Sequence, residues 1–324
     1  MSDQAIDPLA GIDSIDWSKL THAYGPADDV PALLGELQSK DPEVYLTAID
    51  ECWSTIYHQG TRYSSSVQAV PFLYSLVKAQ VTKNRQNLLY MITALAVGNP
   101  DWAVPYGVDV GEWEKRIAEA KDEQDEQDEQ DEQDEQDEQD EQDGGYMMHE
   151  FKAYEAVEQG LSFTMQWLKD ESPAMRATAA HALAFFPRRL NTSVPALLDL
   201  LNKETCKAVR GTAVLALAVL FGRVQDGPEK NKIAQQIQGY YTSCERENKV
   251  EDVYSWSCAL ALMILGHVQE ELVEKAEKVL TDETYLSLLY DSMDAEVWFP
   301  FGMLDLRELS EAVLAKTKDL SSAS

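Results

Sequence analysis

The residues best suited to chemistry lie in one short stretch, Tyr57-His58-Gln59-Gly60-Thr61-Arg62-Tyr63. It places a titratable imidazole, a side-chain amide, a flexible glycine and a planar guanidinium between two aromatic rings. Arg62 is a bidentate donor, so the set suits recognition of a carboxylate or of a peptide backbone. A second reading is structural: His58, Gln59 and Arg62 hydrogen-bond the loop to the segment before it, because turn backbone needs partners. Both readings stay open at this level.

Catalysis finds less support. The histidines are His22, His58, His149, His181 and His267, and none forms a close metal-ligand pair such as HExxH. The chain has no GxSxG, Walker A or GxGxxG motif, which leaves the nucleophile elbow, phosphate loop and dinucleotide fingerprint without a basis. Carboxylates are so numerous that no pair stands out for acid–base work. His181 lies in an alanine-rich amphipathic stretch and reads as a packed or groove-facing residue. Cys52, Cys206, Cys244 and Cys258 show neither CxxC nor metal spacing, so free thiols in a reducing compartment are expected. No catalytic residue, metal or cofactor is therefore assigned.

Charge narrows the partners. The net charge is −30, and residues 122–143 hold fifteen carboxylates and no cation, leaving about −15 on the rest. A surface of that sign repels phosphate backbones, so nucleic acid is an unsuitable partner and a basic protein a suitable one. The first residues lack a basic region followed by an apolar core, and the longest apolar run, about Cys258 to Gly266, falls well short of a membrane helix. A soluble cytoplasmic protein is expected, with the nucleus left open.

The elements that must position these residues are helical. Met175, Ala179, Ala182, Leu183 and Phe186 fall on one face of a helix. Val209, Ala213, Ala216, Leu217 and Leu220 repeat that face 34 residues later, and Arg176 and Arg210 occupy matching places. Self-similarity at such a period is the mark of a repeat architecture. One helical hairpin cannot bury both of its faces, so it must stack on the next. The units read as follows: an N-terminal cap over 1–27, two hairpins and a connector over 28–121, an acidic insertion over 122–145, further hairpins over 146–295, and a capping helix and tail over 296–324. Seven copies of Asp-Glu-Gln fill 122–142. With like charges on every side and no apolar face, that tract is expected to be disordered.

The paired units resemble the HEAT repeat family, including its phycobilisome-lyase-type members. The resemblance rests on prolines opening first helices (Pro31, Pro71, Pro195), acidic turn residues, and second helices that begin like Glu171-Ser172-Pro173-Ala174-Met175-Arg176 and Glu204-Thr205-Cys206-Lys207-Ala208-Val209-Arg210. The first unit departs from the pattern, with Tyr45 where the arginine would stand. The resemblance implies an all-α, right-handed α-solenoid in which Arg176 and Arg210 form a structural ladder with acidic turn residues. The His-Gln-Gly-Thr-x-Tyr stretch, with Trp17 and Ala23-Tyr24-Gly25 upstream, is similar to a segment of HEAT-like proteins of unassigned role. It implies a binding set of Trp17, Tyr24, Tyr57, His58, Gln59, Arg62 and Tyr63, to which Tyr154 of the third unit is added.

The expected function is a non-enzymatic scaffold or adaptor that binds another protein. Two alternatives stand beside it. One is an enzyme resembling the tetrapyrrole (bilin) lyases among HEAT-like proteins; the other is an acidic antagonist that neutralises a basic protein.

Overall fold

The architecture comes from a computed structural model, which describes residues 7–79, 84–128, 138–247, 251–293, 297–302 and 305–322. Contacts group the chain into two units, Met1–Gly98 with Asp109–Leu161, and Asn99–Val108 with Ser162–Ser324.

The first unit opens with two short 3-10 turns and a two-residue hairpin, β1 (Thr21–His22) and β2 (Gly25–Pro26). Helices α1 (Val30–Glu36) and α2 (Pro42–Thr55) follow, then a second hairpin, β3 (Tyr57–His58) and β4 (Thr61–Arg62), and helices α3 (Ser64–Ala79) and α4 (Arg85–Val97). Helix α2 starts where the Asp41 carboxylate accepts the Glu43 N–H at 3.0 Å. It buries Tyr45, Ala48, Ile49, Cys52 and Thr55, one side of a 3.6-residue period. Helix α3 packs against α1 and α4. Its Tyr74 hydroxyl donates to the Val157 carbonyl at 3.1 Å, and its ring fills the space beside Gly160, where a Cβ would lie 2.2 Å from the ring.

The second unit holds α5 (Pro100–Ala103), α8 (Pro173–Leu183), α9 (Leu190–Lys203), α10 (Lys207–Leu220), α11 (Pro228–Glu247), α12 (Val253–Ile264), α13 (Glu270–Thr281), α14 (Glu283–Asp291) and α15 (Leu306–Ser322). Helix α10 packs against α8, α9, α11 and α12, and α12 packs in turn against α13 and α15. These are the stacked helical hairpins of an all-α solenoid. Periodicity assigns α10 one apolar face, yet Val214, Leu215, Ala218 and Val219 are buried as well. Neighbours on several sides make it a core helix rather than an amphipathic one.

Two sequence expectations meet a different structure. Pro71 and Pro195 lie inside α3 and α9 rather than at their starts; burial of the surrounding apolar residues outweighs the one N–H bond each proline forgoes. Among the described residues, two small hairpins interrupt the run of helices. The expected disorder over 122–145 lies partly outside the described residues, and where backbone is described it continues α6 (Val110–Asp128) and α7 (Glu138–Trp167).

Candidate functional site

The seven-residue stretch forms a tight β-hairpin with Tyr57 opposite Arg62 and His58 opposite Thr61. Its two central residues, Gln59 (φ 50°) and Gly60 (φ 94°), both have positive φ, as a type I′ turn requires. Glycine adopts this freely, whereas glutamine does so at a cost. The β1–β2 hairpin lies beside it: Ala23 N–H donates to the Thr55 carbonyl at 3.2 Å, and Thr21 N–H donates to Ser64 Oγ at 2.8 Å.

In the β1–β2 turn stands Tyr24, 67% exposed. Its ring meets His58 edge-on at 5.6 Å and His22 at 6.3 Å. Buried His22 accepts the Tyr24 N–H at Nδ1 (3.0 Å), so its Nε2 carries the proton donated to Asp29 Oδ1 (3.0 Å). His58 donates from Nδ1 to the Ser54 carbonyl at 3.1 Å. In the neutral ring this leaves Nε2 as an acceptor.

Arg62 lies inside rather than at the surface. It is 5% exposed, donates to the Gly60 carbonyl across its own turn, and pairs with Glu150 Oε1 at 2.9 Å. Its Nε is buried without a partner among the described residues. Burial holds the Arg62 guanidinium below the ordinary arginine value, and Glu150 opposes this. Burial also raises the Glu150 carboxyl, against the pull of Arg62. A Cβ at Gly98 would lie 2.8 Å from Arg62 Nη1, so a side chain there would displace the guanidinium.

The other sequence-selected residues separate into surface and core. Tyr57 is half-buried with its ring 5.0 Å from Trp53, and Gln59 is exposed. Trp17 is buried, donates from Nε1 to the Ile12 carbonyl at 3.0 Å and lies 6.4 Å from Phe72. Tyr63 is buried 5.7 Å from Tyr146. Tyr154 is fully buried beside Trp113 (5.7 Å) and Phe151 (6.3 Å), away from the hairpins. The surface set is therefore Tyr24, Tyr57, His58 and Gln59, and the other four, Trp17, Arg62, Tyr63 and Tyr154, are buried. Sequence spacing could not separate them, because an aromatic carries the same signal whether it packs or protrudes.

In the second unit the matching arginines take different partners. Arg176 forms a two-point pair with Glu204 (Nε–Oε2 2.7 Å, Nη2–Oε1 3.2 Å) and donates to the Asp170 and Glu171 carbonyls. Arg210 instead lies 4.0 Å over the Tyr254 ring and donates to its hydroxyl at 3.0 Å. The next acidic turn residue, Asp252, is taken: it pairs with Lys207 at 3.0 Å and caps α12 through Ser255 N–H. A cleft of about 870 Å³ adjoins the first pair, lined by Gln166, Lys169, Arg176, Asp199, Lys203 and Glu204 among others. His181 is fully buried between Phe185 (5.0 Å) and Phe301 (4.6 Å). Burial alone lowers its pKa to about 3, so it is neutral and without access to substrate.

A family model described as HEAT repeats matches residues 153–228. This stretch carries HEAT repeats. The match covers the helices with the two arginines and the Arg176–Glu204 pair, whereas Tyr254 lies outside the matched residues. No curated protein and no solved structure matches the chain. Among the described residues no group of three His, Cys, Asp or Glu is placed to hold a metal ion, and no helix is long and apolar enough to cross a membrane.

Proposed function

We propose that the protein is a non-enzymatic scaffold that binds another protein through the Tyr24–His58 surface of its first unit and through the cleft of its HEAT repeats. The observation that carries this reading is the pair of tight hairpins holding an exposed tyrosine against a histidine. A left-handed Gln59 and a buried Arg62 are costs that a mere end cap does not need, and local strain of this kind gathers at functional sites. Exposed tyrosine offers a large, rigid contact at low entropic cost. Repeat stacks present extended binding surfaces, and the charge of −30 favours a basic partner.

The test is a quantitative pull-down from native lysate with the intact chain, a chain lacking 122–143, and the double variant Tyr24→Ala/His58→Ala. Both substituted side chains are at least partly exposed, so melting should stay unchanged. Loss of one specific protein with the double variant supports the hairpin surface; loss only with the deletion assigns recognition to charge alone. Capture of nothing by any bait, with turnover of a small molecule by the purified chain, overturns the scaffold reading.

A further inference from the structure

A smaller cleft, of about 330 Å³, lies in the second unit between the α5 region and α15. Its walls include Asp101, Trp102, Tyr106, Asp305 and Glu308, with Ala312 and Ala315 leaving room between them. Ligand pockets span roughly 300–1,000 Å³, so this one has space for a single side chain rather than a peptide segment. Trp102 leaves 76% of its surface in water, a costly position for an indole. Among the described lining residues there are three carboxylates and no cation.

The carboxylates are not equivalent. Asp305 caps α15 through Arg307 N–H and has the Arg307 guanidinium 3.7 Å away. Asp101 has one oxygen buried with no donor among the described residues. Burial first, and the Glu308 charge second, raise its pKa to about 6. Glu308 is exposed and in no ion pair among the described residues. The aromatic walls differ too. Tyr106 already has Arg223 at 5.5 Å and Lys316 at 5.8 Å from its ring. Lys316 also ties this wall down, donating to the Pro105 and Ile264 carbonyls at 2.7 and 2.8 Å. Trp102 is thus the wall available to a ligand. One free aromatic is a poor cage for a quaternary ammonium, which has no N–H to offer, whereas two uncompensated carboxylates suit a primary ammonium with three donors.

We infer that this cleft binds the ammonium group of a lysine side chain from a partner protein, with the methylene stem along Trp102 and the N–H groups donated to Asp101 and Glu308. The site lies in the second unit and does not depend on the hairpin surface.

Titration of the full chain with Nα-acetyl-lysine N-methylamide, followed by calorimetry and by the NMR signals of tryptophan indole N–H groups, tests it. Saturable binding in the millimolar range is expected, and about ten-fold weaker binding in Glu308→Gln and in Trp102→Ala. Both variants alter exposed residues, so unchanged melting confirms that the fold is kept. The uncharged analogue that lacks the amino group, Nα-acetyl-norleucine N-methylamide, should not bind. Absence of saturable binding, affinity in either variant unchanged from that of the unsubstituted chain, or equally tight binding of the norleucine derivative or of tetramethylammonium would each overturn the assignment.

Discussion

At the scale of single residues, the first unit rests on a charge placed under a turn. Arg62 joins β4 to Glu150 and closes the carbonyl side of its own hairpin, so its substitution removes two connections and leaves Glu150 without its cation. Breaking a buried pair on one side typically costs 3–5 kcal/mol; Glu150 keeps 26% of its side chain exposed, which puts Arg62→Ala near the lower end, about 3 kcal/mol. Urea unfolding measures this directly, and a loss below about 1 kcal/mol would show that the pair is screened as surface pairs are. Of the two roles open to this guanidinium from sequence, ligand donor and structural pin, its position matches the pin. A hairpin of two residues per strand has too few ladder bonds to hold itself.

At the scale of elements, close approach and repeat geometry set the energetics. Gly160→Ala should cost about 2 kcal/mol, because the new methyl meets the ring of buried Tyr74 and either α3 or α7 must move. Thermal melting with Tyr74→Leu as a second change tests the cause: the smaller side chain should recover part of the loss. The Arg176–Glu204 link admits a sharper measurement. A double-mutant cycle with Arg176→Ala and Glu204→Ala should give about 1 kcal/mol of coupling, while Arg210→Ala combined with Glu204→Ala should be additive. Burial pushes Glu204 upward, but hydrogen bonds from Arg176 and from the Cys206 and Thr205 backbone outweigh it and hold the carboxyl below the ordinary glutamate value. A lowered carboxylate contributes stability above its unfolded value and loses it as pH falls through the folded one. Wild type and Glu204→Gln should therefore converge in stability on acidification below the ordinary glutamate range.

At the scale of the whole molecule, charge and buried titratable groups govern behaviour in solution. His181 is lowered from 6.5 to about 3 by burial. A depressed histidine contributes stability above 6.5, and the contribution disappears as pH falls to about 3, since the unfolded chain takes up a proton that the folded one refuses. The difference in unfolding free energy between wild type and His181→Leu should change over that window and be flat above it. The acidic tract carries fifteen of the 57 carboxylates. Removing 122–143 should slow association with a basic partner several-fold at low salt, with the gap closing as salt is added. Stopped-flow rates at increasing sodium chloride would show this, and a salt-independent gap would point to contacts rather than field.

Period and spacing were enough to place most of the helices. The apolar positions Met175, Ala179, Ala182 and Leu183 lie on α8, and Val209, Ala213, Ala216, Leu217 and Leu220 lie on α10, because a buried helical face must repeat every three to four residues wherever it packs. The 34-residue echo around Arg176 and Arg210 identified the HEAT units for the same reason. Burial of Phe299 and Phe301 beside Trp256 and His181 follows from their apolar character. What sequence left undetermined depends on chain segments distant from each other. It could not show that His22 and Tyr24 stand beside a hairpin more than thirty residues later, that Arg62 turns inward to Glu150, or that Arg210 meets Tyr254 while Asp252 pairs with Lys207. Nor could it bring Asp101 and Trp102 to Glu308. Local pattern fixes which face of an element is apolar; which polar groups then share a partner is decided only by the packing that carries them together.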